Sequence, residues 1–378
     1  LAVQKITIEQ FLQLAQHCPV LDVRSPGEFI HAHIPGAYNL PLFTDEERKV
    51  VGTAYKQQSR KTAIKIGLDY FGVKMKSMVE EVEKYSEEFY KPPSKPGTAV
   101  PPSGSEGGVL VHCWRGGMRS AGVAWLLDLY GFKVYTLSGG YKMYRQWARK
   151  QFEKKYNFTI LGGYTGSGKT LIIQELKQCG KSIIDLEGLA NHKGSAFGAL
   201  GESPQPSQEM FENLLARELF GISQKIASEE SEALSLDGNQ HTIYLEDESQ
   251  RIGLLNIPTD LWNTMRSSSV IFIEIPFEER LKYLTNEYGK FDKEKLVNAI
   301  IRIQKRLGGL ETKTAINYLL ENNHKECFRV LLKYYDKCYS KGLSNRENLP
   351  ALLNKIACAS VDVKTITNIL IHEKAPAQ

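Results

Sequence analysis

Two short stretches carry residues whose types and spacing suit chemistry. In Gly162-Gly-Tyr-Thr-Gly-Ser-Gly-Lys-Thr170 the pattern Gly163-x4-Gly168-Lys169-Thr170 is that of a P-loop. Its glycines let successive backbone N–H groups close around a phosphate, which is thereby seated at the N-terminus of the following helix. Gly163, Gly166, Ser167, Gly168, Lys169 and Thr170 are the expected phosphate contacts. Lys169 reaches the outer phosphate, and the Thr170 hydroxyl is a candidate ligand for Mg²⁺. The second stretch, Cys113-Trp-Arg-Gly-Gly-Met-Arg119, sets a thiol at a strand-to-helix turn. There the helix N-terminus and Arg119 favour thiolate over thiol, and backbone N–H groups can surround an oxyanion transferred to or from sulfur. Cys113, Arg115 and Arg119 are the candidate catalytic residues. Two strand patterns end in acids: Asp185 and Glu187 in one, Glu246 and Asp247 in the other. Carboxylates at the C-terminal end of parallel strands lie where an open α/β sheet binds its ligand, so these four are candidates for Mg²⁺ or substrate contact, with Asp185 and Thr170 the candidate Mg²⁺ ligands.

The elements that must position these residues can be read around them. The apolar run Phe158 to Leu161 is a strand feeding the P-loop, and Leu171 to Cys179 is patterned as a helix. Val109 to His112 is a buried-strand pattern leading to Cys113, and a helix runs from Ser120 to Tyr130. Upstream, Thr7 caps a helical run Ile8 to His17 before the short strand Val20 to Val23, and prolines and glycines mark tight connections through Asp22–Phe29 and His33–Ala37. Phe43 to Tyr90 is helical and charged, and 91–108 is rich in proline, glycine and serine, the composition of a loop inside a domain. Gly140 to Lys155 is a basic helix in which Arg145, Arg149, Lys150, Lys154 and Lys155 alternate with Tyr141, Tyr144, Trp147 and Phe152. That mixture suits an RNA surface, or an amphipathic helix whose aromatics pack inward. Beyond the P-loop, strands (181–187, 242–249, 270–275) alternate with helices, which gives a doubly wound parallel sheet. Residues 291–378 have helical periodicity and no chemical motif. The expected order is a domain at 1–145, a basic linker helix at 146–157, a P-loop α/β domain at 158–290 and a helical region at 291–378.

Bulk properties narrow the classes. A chain of 378 residues with 24% charged and 42% hydrophobic residues has ordinary soluble composition, and no apolar stretch approaches a membrane span. No secretory pattern opens the chain, so a cytoplasmic protein with no membrane partner is expected. The six cysteines are scattered without a Cys-x-x-Cys pair, so neither a zinc site nor a disulfide framework is expected, and no haem. A net charge of +5 permits a nucleic-acid partner without requiring one.

Sulfurtransferases and cysteine phosphatases share this loop logic, and the Cys-x5-Arg spacing alone fits the phosphatases. The wider pattern resembles the rhodanese family over residues 5–147: Leu21-Asp-Val-Arg-Ser-Pro-Gly-Glu-Phe29, His33-Ile-Pro-Gly-Ala37, the Cys113 loop, then Gly131-Phe-Lys-Val-Tyr-Thr-Leu-Ser-Gly-Gly140. One more residue precedes Arg119-Ser120 than in many rhodaneses, a cradle suited to a bulkier donor than thiosulfate. Both halves together resemble the tRNA 2-selenouridine synthase family, through Cys113–Ser120, Gly139-Gly-Tyr-Lys142, Gly166–Thr170, Asp185-Leu-Glu-Gly-Leu-Ala190, Gly194-Ser-Ala-Phe-Gly198, Phe211-Glu-Asn213 and Glu246-Asp-Glu248. The resemblance implies a transferase acting on tRNA with wobble 2-thiouridine. The resemblance further implies that geranyl diphosphate alkylates the sulfur and that selenophosphate, from a separate supplier, then provides selenium. Cys113 would carry selenium as a perselenide or bind selenophosphate. Two alternatives stay open: a P-loop small-molecule kinase with a degenerate sulfurtransferase domain, and a non-catalytic tRNA-binding module.

Overall fold

The computed structural model describes residues 3–90, 108–232 and 242–372, so nearly all of the proline-rich stretch 91–108 lies outside the described residues. The chain divides into two compact units, Leu1–Lys150 and Gln151–Gln378.

In the first unit β1 (Gln4–Ile6) leads into α1 (Ile8–Leu14), started by a capping box between Thr7 and Gln10. β2 (Val20–Asp22) is wholly buried, and α2 (Pro26–His31) begins at Ser25 with Pro26 in its first turn. After β3 (Tyr38–Asn39) come the three charged helices α3 (Asp45–Gln57), α4 (Arg60–Gly72) and α5 (Met75–Tyr90). β4 (Gly108–His112), α6 (Met118–Tyr130), β5 (Lys133–Leu137) and α7 (Gly140–Phe152) complete the unit, the last two residues of α7 lying past its end. The five strands form a parallel sheet in the order β1-β5-β4-β2-β3. All five residues of β4 are buried, as its unbroken apolar run requires of a strand covered on both faces. Its C-terminal end delivers Cys113. The basic helix starts at Gly140, as its sequence pattern gives, and stops at Phe152, so Lys154 and Lys155 lie beyond it.

The second unit opens with β6 (Phe158–Gly163), followed by α8 (Lys169–Gln178), β7 (Ser182–Ile184), the short α9 (Leu186–Ala190) and the long α10 (Gln208–Glu232). β8 (Ile243–Glu246) precedes a small hairpin of β9 (Arg251–Ile252) and β10 (Leu255–Asn256), then α11 (Thr259–Ser267) and β11 (Ser269–Glu274). Helices α12 (Phe277–Tyr288), α13 (Lys293–Leu307), α14 (Gly309–Leu320) and α15 (His324–Ser344) follow. They share an apolar core that includes Leu281, Leu296, Leu319 and Leu331. The sheet order is β12-β11-β6-β8-β7, all parallel. Its outer strand β12 (Leu353–Ala357) and the helices α16 (Leu349–Leu352) and α17 (Val363–His372) come from the region expected to be helical throughout. This five-residue edge strand has only Ile356 buried, so it lacks the apolar run by which a central strand is recognised. The first strand in sequence, β6, lies mid-sheet between β11 and β8, and the P-loop leaves its C-terminal end at the crevice where such sheets bind ligands.

Candidate functional site

The Cys113 loop is built from main-chain donors. The Gly117 N–H donates to Cys113 Sγ at 3.3 Å and the Ser120 hydroxyl lies 3.3 Å from the same sulfur. Burial of the thiol works against its ionisation, but the bonds from Ser120 and from the amides of Arg115, Gly117 and Ser120 outweigh it, and its pKa falls below the ordinary thiol value. The first turn of α7 braces the loop from below, with the Tyr141 and Lys142 N–H groups donating to the Cys113 and Trp114 carbonyls at 2.9 Å each.

Arg119 does not point into this cradle. Its guanidinium donates to Glu28 at 2.7 and 3.4 Å. The pairing overcomes the burial cost at Glu28 and holds that carboxyl down at about 2. Arg119 therefore ties α6 to the first turn of α2, and its influence on the thiol is through position. Arg115 is exposed, and it is its backbone amide that serves the sulfur. Beneath lies a polar knot that ties neighbouring loops by hydrogen bonds, as polar groups at a strand's end do. Arg24 is 1% exposed, donates from Nε to the Asp22 carboxylate at 2.9 and 3.0 Å, and stacks 3.9 Å over the Tyr141 ring. His112, also buried, is driven toward its neutral form by desolvation.

In the second unit Gly163, Gly166 and Gly168 all take positive φ (155°, 85° and 75°), as a loop turning its N–H groups inward demands. Lys169 Nζ rests on the Gly163 carbonyl at 3.0 Å, and the Ser167 hydroxyl is buried without a hydrogen-bond partner. Thr170 donates to Glu187. Asp185 is committed elsewhere: it caps α9 through the Gly188 N–H at 2.7 Å and accepts from the Gln174 side-chain amide. Of the acidic candidates it is thus Glu187, and not Asp185, that the structure brings to the Thr170 hydroxyl. Glu248 stands near Glu187, its pKa raised well above normal by desolvation and by that neighbouring charge, an excess of negative charge that a divalent ion would relieve. Glu246 is buried and pushed toward its neutral acid by desolvation and by Asp185 and Glu187, and it accepts from the Leu186 N–H at 3.3 Å.

The region without a sequence motif supplies much of this site. From α15, the Tyr339 hydroxyl accepts from the Gly163 N–H at 3.2 Å and donates to Asp247 at 2.6 Å. Asp247 also pairs with the buried Arg346, which leaves it a tether for the C-terminal helices. Asp336 binds Arg280 at 2.7 Å, and Arg280 in turn donates to the Thr165 carbonyl at 3.0 Å. The P-loop opens into a cavity of about 1100 Å³ lined by Lys169, Thr170, Glu187 and Lys193, and by aromatic residues of α12 and α15.

On α7 the aromatics pack inward, with Tyr141, Tyr144 and Phe152 buried. Arg145 is buried too, at 8% exposure, and so leaves the set of side chains open to a tRNA phosphate. Arg149, Lys150, Lys154 and Lys155 are exposed.

A thiol in an amide-lined, rhodanese-type cradle, joined to a P-loop on a parallel sheet, defines a two-part chain. Models of known families divide it in the same way: a rhodanese-like domain matches residues 7–146, and the tRNA 2-selenouridine synthase AAA domain matches residues 156–357. A tRNA 2-selenouridine synthase of Sulfurovum sp. (strain NBC37-1) is 32% identical over 353 residues, covering 85% of this chain and 87% of that one. One of Hydrogenovibrio crunogenus is 31% identical, covering 88% and 91%, and one of Bdellovibrio bacteriovorus 32% identical, covering 88% and 90%. The chain belongs to the tRNA 2-selenouridine synthase family. No helix among the described residues is long and apolar enough to cross a membrane.

Proposed function

We propose that the protein replaces the sulfur of wobble 2-thiouridine in tRNA by selenium in two steps, with geranyl diphosphate and selenophosphate as co-substrates. The base sulfur attacks C1 of geranyl diphosphate, the C–O bond breaks and diphosphate leaves. The charge that develops on the leaving group falls to the P-loop amides and Lys169, which recognise phosphate without requiring adenine. Mg²⁺, held by Thr170 and Glu187, would neutralise part of that charge when bound. Selenophosphate then lies in the Cys113 cradle and its selenium adds at C2 of the base. The C–S bond breaks and geranylthiolate departs with a proton, a far better leaving group than the original sulfur. Hydrolysis of the P–Se bond releases phosphate, and the course is redox-neutral throughout.

The observation that carries the reading is that an activated thiol and a P-loop coexist in a chain 32% identical to such a synthase over most of its length. Its test is mass spectrometry of nucleosides from tRNA incubated with the protein and both co-substrates. 2-Selenouridine is expected, and S-geranyl-2-thiouridine when selenophosphate is withheld. Unchanged nucleosides, with ATP turned over in the absence of tRNA, would refute the reading in favour of a kinase.

A further inference from the structure

The cavity beside the P-loop is larger than a diphosphate needs, and much of its lining is apolar. Tyr283, Leu284 and Tyr288 come from α12, Ile303 from α13, and Tyr334 and Tyr335 from α15. The Tyr335 hydroxyl is occupied, accepting from the Ala196 N–H at 3.3 Å, and this lining continues into the apolar core of the four C-terminal helices. Burial pushes the Tyr283 phenol up to about 12 and Tyr288 further, so both rings stay neutral. At about 1100 Å³ the space is at the upper end for a small-molecule site. Phosphate donors beside an aromatic and aliphatic surface, which Leu284 begins at the P-loop itself by lying against Gly166, match an amphiphile: an anionic head on a hydrocarbon tail.

We infer that this surface is the subsite for the hydrocarbon chain of an isoprenoid diphosphate, and that Leu284 and Ile303 help set the chain length accepted. The inference rests on the proposal that the P-loop holds the diphosphate, and it adds where the chain goes and what selects it. Each methylene removed from water contributes about a fourfold gain in affinity, so five further carbons, roughly half buried, favour geranyl over dimethylallyl diphosphate by on the order of thirtyfold.

The test is calorimetric titration of the full chain with pyrophosphate, dimethylallyl diphosphate and geranyl diphosphate, for the wild type, Ile303→Asn and Lys169→Ala. Ile303 is only partly buried, so the polar variant keeps the core. Geranyl diphosphate should bind best, Ile303→Asn should weaken it about tenfold while leaving pyrophosphate unchanged, and Lys169→Ala should weaken all three. A measurement needing no variant uses Cys338, an exposed thiol on the cavity lining: geranyl diphosphate should slow its alkylation, read by peptide mass spectrometry, and pyrophosphate should not. Equal affinities for geranyl diphosphate and pyrophosphate, or equal losses for both in Ile303→Asn, would overturn the chain subsite while the diphosphate site stood. Absence of binding by either, with no effect of Lys169→Ala, would remove the diphosphate site and the subsite with it.

Discussion

Position 140 has no room for a side chain, and that makes Gly140→Ala a direct test of how the thiol is held. The residue sits at φ 59°, and a Cβ there would lie 2.3 Å from the Cys113 carbonyl oxygen and 2.4 Å from the Gly116 nitrogen. Both are backbone atoms, so no rotamer change relieves the clash, and the loop must retreat by about 0.7 Å merely to reach the closest separation real Cβ atoms show. The left-handed conformation costs an alanine ~1–2 kcal/mol and overpacking ~1–3 kcal/mol, a total of ~2–5 kcal/mol. A loop that yields moves Gly117 and Ser120 away from the sulfur, leaving burial to dominate and raising the thiol pKa. Two measurements read this: urea unfolding, and the pH dependence of Cys113 alkylation. A stability loss in that range with the alkylation midpoint displaced to higher pH is expected, together with loss of selenium incorporation and retention of geranylation. Wild-type stability with a wild-type alkylation profile would refute the packing of α7 under the cysteine loop.

Lys169→Ala should block geranylation of tRNA, because the leaving diphosphate loses its main counter-charge, and normal alkylation by the variant would exclude the lysine from that step. Cys113→Ser should abolish selenium insertion and spare geranylation, as scored by the same nucleoside analysis; full 2-selenouridine formation would remove the thiol from the mechanism. Glu28 has its folded pKa depressed from 4.5 to about 2, so its contribution is complete above pH 4.5 and disappears as pH falls toward 2. Glu28→Gln should therefore cost about 1–3 kcal/mol at neutral pH, and the gap from wild type in urea melts should close across that acid window. Replacing Arg149 and Lys150 by Gln should flatten the salt dependence of tRNA affinity by about two units of log–log slope, and an unchanged slope would return both to a merely solvated face.

What the sequence disclosed and what it hid differ by the range over which each signal acts. The P-loop and the Cys113 turn are legible because a phosphate cradle and an amide-lined thiol are made by consecutive residues, so chemistry and spacing coincide in one short string. The strands next to them are legible for the same reason, β4 and β6 being continuous apolar runs that end in a motif. Roles set by distant partners were not. Spacing along the chain puts Arg119 beside the thiol, whereas Glu28, 91 positions away, pairs with it in space. A place at a strand end makes Asp185 a metal candidate, whereas in the fold its carboxylate accepts from the Gly188 N–H and caps a helix. The clearest case is α15, where Asp336, Tyr339 and Leu343 recur at helical spacing and so share one face. Polar groups on a face that otherwise packs inward need partners elsewhere, and here Arg280 answers Asp336 while Asp247 and the Gly163 N–H answer Tyr339. The consequence is energetic as well as descriptive. Tyr339→Phe keeps the ring against Phe272 and Tyr164 but strands a P-loop N–H and a carboxylate oxygen, a loss of ~1–3 kcal/mol. Because that loss is felt at Gly163, it should appear as weaker geranyl diphosphate binding in calorimetry as well as a lower urea midpoint. A variant that lost stability alone would show α15 to be packing for the phosphate loop and not part of its geometry.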